Sequence, residues 1–333
     1  MTVNIIGNFP KVNRQITGLY TFDRAFINDI GEIGFPLGIG VEIFGGQHVG
    51  KTTFTIGLSG LIASVQEYNI AWTDFEGSDP RYITGLLEAV KYSGDLHYIR
   101  KETDEEELDE LVVKLFDKKA NCGIGIIDSI GAISPIAEEQ GDLGDANMGR
   151  RAFLMSQISK KGIRVLRGTN KDILAVNHEY PVIGGRGKKT PGGEVKEFLF
   201  SVRIRLSRKY LKGKYVEYPD GSYILEGIVK KNRWGYDNRT FNIFVLAGKG
   251  IHLGLTAMYD CVALGLASSE RVVKIGDKSF GAAKNMTDKA KAGDDEFFVP
   301  FFEALYNHNN EERVSSESDE IDGNVEDTNT EET

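Results

Sequence analysis

Residues 41–53 read Val-Glu-Ile-Phe-Gly-Gly-Gln-His-Val-Gly-Lys-Thr-Thr, and from Gly45 to Thr52 they fit the pattern G-x-x-x-x-G-K-S/T. An apolar run precedes the pattern and a helical pattern follows it, so a strand, a tight loop and a helix are expected in succession. Glycines let backbone N–H groups turn toward a phosphate chain, and the helix N-terminus adds partial positive charge. A chance match to a glycine-rich turn is the alternative, which the flanking patterns disfavour. The predicted phosphate-binding residues are Gly45, Gly46, Gln47, His48, Val49, Gly50, Lys51, Thr52 and Thr53.

Five side chains are candidates for the hydrolysis of a nucleotide. Lys51 is expected to reach the β- and γ-phosphates, while the Thr52 hydroxyl and Asp128, which ends an apolar run, are expected to hold Mg²⁺. Hydrolysis also needs a group that orients or activates the attacking water. Glu76 and Asp74 compete for this role, and Glu76 is favoured because it lies nearer the end of its strand and has the longer side chain.

The pattern of apolar segments predicts the fold class. Apolar segments at 70–74, 123–128, 173–177, 200–206 and 241–246 follow the first strand, with helical stretches at 53–66 and 105–118 between the early ones. Strands that alternate with helices predict an α/β fold with a mostly parallel, twisted sheet and helices on both faces. The expected organisation is an N-terminal arm with the first core helix (1–32), a core (33–266), a small C-terminal subdomain (267–308) and a disordered acidic tail (309–333).

Composition excludes several classes of protein. With 333 residues, of which 41% are hydrophobic and 10% aromatic, the chain can bury a sizeable core. Two cysteines, Cys122 and Cys261, cannot build a disulfide framework and indicate a reducing compartment, so a cytoplasmic location is expected. No apolar run approaches the ~18 residues that a membrane helix needs, and the first residues lack the pattern of a secretion signal.

The formal net charge of −9 belongs to the tail. Residues 311–333 contain ten acidic residues and one arginine, so the rest of the chain is formally neutral. The overall acidity therefore does not exclude binding of nucleic acid by the folded part. The tail is interpreted either as a solubilising segment or as a competitor of DNA for a basic surface.

Residues 182–193 are rich in glycine and carry the basic side chains Arg186, Lys188 and Lys189. This composition predicts a mobile loop. A solvated basic loop without a partner is one interpretation. In a chain that is neutral outside its tail, a basic loop between glycines favours contact with a nucleic-acid backbone.

Further motifs, in order along the chain, resemble those of the RecA family of strand-exchange recombinases from about Gln15 to Leu266. The matching stretches are Thr17-Gly18, Phe22-Asp23-Arg24-Ala25-Phe26, Gly34–Gly38 with Val41–Ile43, Asp74-Phe75-Glu76 with Asp79-Pro80, Asp128–Ala132, Gly144–Gly149 with Met155-Ser156-Gln157, and Gly192-Gly193 with Phe198 and Ser201-Val202-Arg203. So many ordered motifs are more specific than a phosphate loop alone. The resemblance implies a RecA-like P-loop ATPase core that uses ATP and Mg²⁺.

The resemblance also implies roles for the matching residues. Glu76 is the expected catalytic glutamate, His178 the sensor of the nucleotide state, and Asp79 and Tyr82 the contacts of adenine. The two DNA-binding loops are expected at 138–149 and 179–193. The residues on DNA-contact positions of the family are Met148, Ser156, Lys160, Gly192 and Gly193. To these the sequence adds the basic residues Arg186, Lys188 and Lys189 of the glycine-rich segment, and Arg150 and Arg151 as substitutes for a DNA-facing arginine of the family that is Phe153 here. Lys231 and Arg233 match a basic pair that reaches a neighbour's γ-phosphate, and Phe198 matches an aromatic residue of the subunit interface.

The implied activity is DNA-dependent ATP hydrolysis coupled to homologous pairing and strand exchange, in recombination and repair. The expected partners are single-stranded and double-stranded DNA and further copies of the chain in a helical filament, with single-strand-binding and mediator proteins in addition. Two alternatives stay open: a recombinase paralogue that acts as a mediator or loader, and a hexameric RecA-core helicase.

The chain departs from the family pattern at several places. His178 stands where bacterial members have glutamine and phage members have histidine, which favours a phage as well as a bacterial origin. Glu197 replaces a lysine, Phe153 replaces a DNA-facing arginine, and the N-terminal region is shorter than the bacterial module that locks neighbouring subunits. Phe22-Asp23-Arg24-Ala25 fits the F-x-x-A polymerisation pattern of eukaryotic relatives, but its position favours packing within the chain.

Overall fold

The computed structural model describes residues 12–134, 150–181, 188–191, 196–211, 214–215, 218, 220–268, 272–282 and 285–310. The larger strands are β3 (Gly40–Gly45), β4 (Asn69–Asp74), β5 (Leu96–Ile99), β6 (Cys122–Asp128), β7 (Asp172–His178), β10 (Phe200–Arg208), β13 (Tyr223–Asn232) and β14 (Arg239–Leu246). The shorter strands are β1 (Arg14–Gln15), β2 (Phe35–Pro36), β8 (Tyr180–Pro181), β9 (Lys188–Lys189), β11 (Tyr210–Leu211), β12 (Lys214–Tyr215), β15 (Gly250–Ile251), β16 (Val273–Ile275) and β17 (Lys278–Gly281).

The helices within these ranges are α1 (Tyr20–Ala25), α2 (Lys51–Gln66), α3 (Pro80–Ala89), α4 (Asp104–Phe116), α5 (Arg150–Leu166), α6 (Lys196–Leu199), α7 (Leu253–Ala263), α8 (Met286–Lys291) and α9 (299–310). Two 3₁₀ turns cover Ile130–Ala132 and Asp295–Phe298. None of these described helices combines the length and the apolar character that a membrane crossing requires.

The central sheet has the strand order β15-β14-β13-β10-β3-β7-β6-β4-β5. The six strands from β10 to β5 are parallel, and β13, β14 and β15 continue the sheet in antiparallel pairing. Every residue of β3 and β6 is buried, as expected for strands covered on both faces by helices. The predicted α/β class with a mostly parallel sheet is confirmed.

The F-x-x-A stretch packs inside its own chain. Phe22 is fully buried, with its ring centroid 4.9 Å from that of Phe241 and 5.0 Å from that of Phe26. Ala25 is buried as well. Aromatic rings at such separations stabilise a core beyond their buried area. The expectation that this stretch packs within the chain is therefore confirmed.

The chain divides into two compact units, Met1–His252 and Leu253–Thr333. This division lies before α7, whereas the sequence predicted a boundary at 266/267. The reason is that α7 packs within the second unit: a Cβ at Gly254 would lie 2.4 Å from the Phe298 ring, and Cys261 Sγ lies 3.4 Å from the Phe301 carbonyl oxygen.

Candidate active site

Four neighbouring parallel strands bring their last residues to one edge of the sheet. β3 ends at Gly45, which pairs with His178 at the end of β7, and Asp74 at the end of β4 pairs with Asp128 at the end of β6. The carboxyl edge of a parallel sheet is the usual place for a ligand. The residues that the sequence singled out at separate places therefore lie together at this edge.

The glycine-rich loop between β3 and α2 needs its glycines for close packing. Gly50 has a φ of 104°, and a Cβ there would lie 2.4 Å from the Tyr223 hydroxyl oxygen. A Cβ at Gly45 would lie 2.3 Å from the Leu206 carbonyl oxygen. Any larger residue at Gly50 is strained in both backbone and side chain. These glycines therefore let the loop lie directly against β10 and β13.

Lys51 opens α2 and points back over the loop. Its Nζ donates to the Gly46 carbonyl oxygen at 2.8 Å and lies 3.4 Å from His178 Nδ1. Burial lowers the pKa of Lys51, and the negative charges of Glu76 and Asp128 partly offset this effect. The ammonium group is thus held over the loop by a carbonyl oxygen, a contact that a phosphate oxygen can replace.

Thr52 and Asp128 form the second pair of the site. The Thr52 hydroxyl donates to Asp128 Oδ2 at 2.7 Å, and Asp128 Oδ1 has no hydrogen-bond partner among the described residues. Burial raises the pKa of Asp128 to about 7, with further contributions from the negative charges of Glu76 and Asp74. An orphaned buried carboxylate oxygen beside a hydroxyl is a donor set that suits a hard cation such as Mg²⁺.

The Glu76 carboxylate contacts both Ser129 and His178. Its Oε1 accepts a hydrogen bond from the Ser129 hydroxyl and lies 2.7 Å from His178 Nε2. Burial alone raises the pKa of Glu76, but the hydrogen bonds from Ser129 and His178 and the charge of Lys51 outweigh it, so the pKa lies below its ordinary value. Glu76 is therefore a carboxylate near neutral pH.

The partners of His178 define its tautomer. Lys51 can only donate, so His178 Nδ1 accepts, and the Glu76 carboxylate can only accept, so His178 Nε2 carries the proton. A neutral imidazole satisfies both contacts. The histidine thus bridges the lysine of the loop and the glutamate at the end of the neighbouring strand.

Asp74 holds the turn that presents Glu76. Its carboxylate accepts the backbone N–H groups of Glu76 at 3.1 Å, Gly77 at 3.0 Å and Ser78 at 2.6 Å. These contacts occupy both carboxylate oxygens. Of the two candidates for the water-orienting group, Asp74 therefore positions the backbone and Glu76 reaches the open edge.

We expect Asp74→Ala to lower the free energy of unfolding by about 2 kcal/mol, because three N–H groups lose a buried acceptor. The matched control is Asp117→Ala, since Asp117 accepts one N–H, that of Lys119, in an exposed turn. That control is expected to cost about 0.5 kcal/mol or less. Urea denaturation measures both, and equal losses for the two variants contradict the role of Asp74.

The two residues that were predicted to contact adenine, Asp79 and Tyr82, lie at the start of α3. Asp79 caps α3 by accepting the Arg81 N–H at 2.9 Å, and the hydrogen bonds from the Arg81 side chain and from this N–H lower the pKa of Asp79. The Tyr82 hydroxyl lies 2.6 Å from Thr53 Oγ1, and the tyrosine side chain is 42% exposed. The ring is thus tethered to the first turn of α2 while part of it stays open to solvent.

A buried network leads from the site toward the end of the second predicted DNA loop. Asn177 Nδ2 donates to Glu42 Oε1 at 2.7 Å and to the Pro191 carbonyl oxygen at 3.0 Å. Glu42 is fully buried and accepts Arg203 Nε at 2.5 Å, and Arg203 in turn donates to the Thr190 hydroxyl at 3.2 Å. The residue before His178 is thereby connected to residues 190–191.

The structure does not bring Lys231, Arg233 and Phe198 to the site of their own chain. In the register of β10 and β13, Lys231 lies opposite Arg203. The Arg233 N–H donates to the Ser201 carbonyl oxygen. Both positions lie beside the first half of β10, whereas Lys51 follows the carboxyl end of β3. Arg233 and Phe198 are exposed, the latter to 65%.

The predicted DNA-binding residues are only partly within the described residues. Ser156 and Lys160 lie on α5, half-buried and exposed respectively, and Lys188 and Lys189 form the exposed strand β9. Arg150 and Arg151 begin α5, but their side chains lie outside the described part. The loop 138–149 with Met148, the residues Arg186, Gly192 and Gly193, and the tail from 311 onward lie outside it altogether.

The sequence analysis did not identify Ser129 as a site residue, nor Arg208 and Tyr223, which lie against the glycine-rich loop. Ser129 follows the strand-end aspartate directly, and that position was a usable signal. Arg208 lies with its guanidinium 4.1 Å above the ring of Tyr223 and donates to the His48 carbonyl oxygen at 3.2 Å. No local pattern marks these two residues, because they come from β10 and β13, far along the chain.

The sheet is mostly parallel, and its central strand leads through a glycine-rich loop into a helix. Carboxylates lie at the ends of the neighbouring strands. These features define a doubly wound α/β protein with its candidate site at the carboxyl edge of the sheet. A family profile described as the RecA N-terminal domain matches residues 5–252. The chain belongs to the RecA family.

Proteins named Protein RecA are among its relatives. The one from Treponema pallidum is 30% identical over 266 residues, which cover 78% of this chain and 61% of the relative. Those from Latilactobacillus sakei and Thermus thermophilus are 32% identical over 204 and 205 residues, which cover 60% of this chain and 55% and 57% of the relatives. The chain thus spans between about half and three fifths of the length of these curated relatives.

Proposed function

We propose that the protein is a DNA-dependent ATPase and recombinase that assembles on single-stranded DNA and pairs it with homologous duplex. The observation that carries the ATPase is the convergence of Lys51, Thr52, Asp128, Glu76 and His178 at contacts of 2.7–3.4 Å on one sheet edge. Membership of the RecA family supports the recombinase.

In the proposed reaction, the backbone of the loop and the Lys51 ammonium bind the phosphates of ATP. Thr52 and Asp128 would hold Mg²⁺, which would neutralise charge that develops on the transferred phosphoryl group. Glu76, ionised near neutral pH, orients the attacking water and accepts its proton. Whether His178 keeps its hydrogen bond to Glu76 would depend on whether a γ-phosphate is bound to Lys51.

The adenine of ATP would lie against α3. The Tyr82 ring is partly open, and its hydroxyl is fixed by Thr53, so the ring can stack on a base without losing its orientation. Asp79 is an ionised acceptor at the start of the same helix. Both residues are proposed as base contacts on these grounds.

DNA would lie along α5 and the β8–β9 hairpin. Lys160, Lys188 and Lys189 are exposed cations, and such groups bind a phosphate backbone without regard to sequence. The buried Glu42 network gives the nucleotide site a physical connection to residues 190–191 at the end of the hairpin segment. ATP binding would thereby favour the DNA-binding arrangement of this segment.

Assembly into a filament would complete the ATP site from a neighbouring copy. Lys231 and Arg233 lie beside the first half of β10 and not at the carboxyl edge with their own Lys51, and on this ground they are proposed to serve the site of a neighbouring chain. Phe198, exposed on α6 directly before β10, is proposed as an interface residue. The protein would act in a bacterial cytosol, including that of a phage-infected cell.

We expect Lys188→Glu with Lys189→Glu to weaken binding of single-stranded DNA and to flatten its salt dependence. Loss of two phosphate contacts should reduce the slope of log K against log salt by about 1.4. Fluorescence anisotropy with a poly-dT oligonucleotide at several salt concentrations measures this. The control is Lys118→Glu with Lys119→Glu, both exposed in the turn after α4. An unchanged slope for the β9 variant excludes this strand from the DNA interface.

Electron microscopy with single-stranded DNA and a non-hydrolysable ATP analogue tests the assembly. Helical filaments that form with DNA and analogue together support the recombinase. DNA binding without filaments favours a mediator or loader, and closed rings that unwind duplex favour a helicase. A strand-exchange assay with homologous and heterologous duplex then separates a recombinase from a passive filament.

A further inference from the structure

Glu179 lies between the predicted sensor and the hairpin of the second loop, and its side chain is only 9% exposed. Its carboxylate accepts Arg205 Nε at 3.1 Å and Arg205 Nη2 at 3.0 Å, one on each oxygen. Lys188 Nζ lies 3.4 Å from Glu179 Oε2. One carboxylate therefore serves two cations, of which one, Lys188, is a predicted DNA contact.

The two cations hold the carboxylate in different ways. Arg205 is in the centre of β10, and its guanidinium forms two parallel bonds whose geometry suits a carboxylate. Lys188 makes a single contact, its side chain is 49% exposed, and its ammonium is a compact charge that changes partners readily. The bond to Lys188 is therefore the one that yields when a competing anion arrives.

Glu179 is also attached to the candidate active site through its backbone. Its N–H donates to the carbonyl oxygen of Gly45, the first residue of the glycine-rich loop, at 3.1 Å. On the other side, β8 begins at Tyr180 and pairs with β9 through Tyr180–Lys189 and Pro181–Lys188. Glu179 thus lies between the glycine-rich loop, to which its N–H is hydrogen-bonded, and the β8–β9 hairpin, which begins at the next residue.

We propose that Glu179 is an internal competitor of DNA: in the DNA-free protein it occupies the contact at Lys188 that a backbone phosphate takes in the complex. When DNA binds, Lys188 moves to the phosphate and Glu179 stays with Arg205. A phosphate that shares the ammonium with this carboxylate is repelled by its like charge, so binding of the phosphate weakens the contact between Glu179 and Lys188. The proposal rests on the proposed binding of single-stranded DNA.

The consequence is a lower affinity for single-stranded DNA than Lys188 alone would give. An ion pair of a half-exposed lysine is worth up to about 1 kcal/mol, which corresponds to about a threefold to fivefold change in affinity. We therefore expect Glu179→Gln to bind an oligo-dT about threefold to fivefold more tightly than the wild type, both without nucleotide and with the ATP analogue.

Glu110→Gln is the matched control, because Glu110 also pairs with two lysines, Lys101 at 3.9 Å and Lys114 at 3.7 Å, but on α4. A second arm combines Glu179→Gln with Lys188→Gln. If Glu179 acts through Lys188, its effect on DNA affinity disappears in the Lys188→Gln background. Equal affinities for Glu179→Gln and Glu110→Gln, or an effect of Glu179→Gln that survives without Lys188, overturn the proposal.

Hydrogen–deuterium exchange of the DNA-free protein provides a readout that needs no DNA. Peptides containing Tyr180 and Lys189 should exchange faster in Glu179→Gln and in Lys188→Gln than in the wild type, and unchanged exchange in both overturns the ion pair as a restraint. Lys188→Gln keeps this arm decisive if Glu179→Gln does not fold. A wild type that binds no oligo-dT refutes the proposed function, whereas DNA binding that is insensitive to Glu179 refutes this inference alone.

Discussion

Lys51→Ala is expected to reduce ATP hydrolysis at least about 10³-fold, a loss of about 4 kcal/mol of transition-state stabilisation. The ammonium group is the cation that lies over the glycine-rich loop, 2.8 Å from the Gly46 carbonyl oxygen, where phosphates would bind. Without it, the charge of the phosphates would be left opposite Asp128 and Glu76 with too little compensation. Steady-state phosphate release in the presence of single-stranded DNA measures the effect.

The control for this variant is Lys118→Ala, because Lys118 is exposed in the turn after α4. Circular dichroism and the unfolding midpoint should show that both variants fold. We also expect Lys51→Ala to lose ATP-dependent DNA binding. Hydrolysis within tenfold of the wild type contradicts the assignment of Lys51 to the phosphates.

Glu76→Gln is expected to reduce ATP hydrolysis about 10²-fold to 10⁴-fold while ATP still binds. Glutamine keeps an acceptor for the Ser129 hydroxyl but cannot take a proton from water. Because the pKa of Glu76 lies below its ordinary value, the wild-type carboxylate is ready to act at neutral pH. Single-turnover hydrolysis together with binding of a fluorescent ATP analogue separates the two steps.

A distinct consequence of Glu76→Gln is a longer-lived complex with DNA, since the triphosphate persists in the site. Glu88→Gln, exposed on α3, is the control for the loss of one carboxylate. A normal turnover number with weaker ATP binding is the opposite pattern and would assign Glu76 to binding rather than to hydrolysis.

Much of the fold is readable from local patterns. The predicted strand at 123–128 corresponds to Cys122–Asp128, and the predicted helix at 53–66 corresponds to Lys51–Gln66. A buried parallel strand needs a continuous apolar run, and a helix after a glycine-rich loop needs its own periodicity, so both leave a local signal. The antiparallel strand β13 was not predicted, because its pairing with β10 depends on residues far apart in the chain.

The candidate site was only partly readable in the same way. The loop around Lys51 and the carboxylates at strand ends follow from the rule that parallel strands end at one edge. The same reasoning favoured Glu76 over Asp74 by its position and its longer side chain, but it gave Asp74 no role of its own. The structure shows that the Asp74 carboxylate accepts the backbone N–H groups of residues 76–78.

Local patterns along the chain were sufficient for the class of fold, for the glycine-rich loop and for the carboxylates at the strand ends. His178 was singled out only through the resemblance to the RecA family. The contacts of His178 with both Lys51 and Glu76, and of Glu179 with both Arg205 and Lys188, arise from strands that are distant in sequence. Their partners became known only when the sheet was assembled, because register and burial determine which charged groups meet.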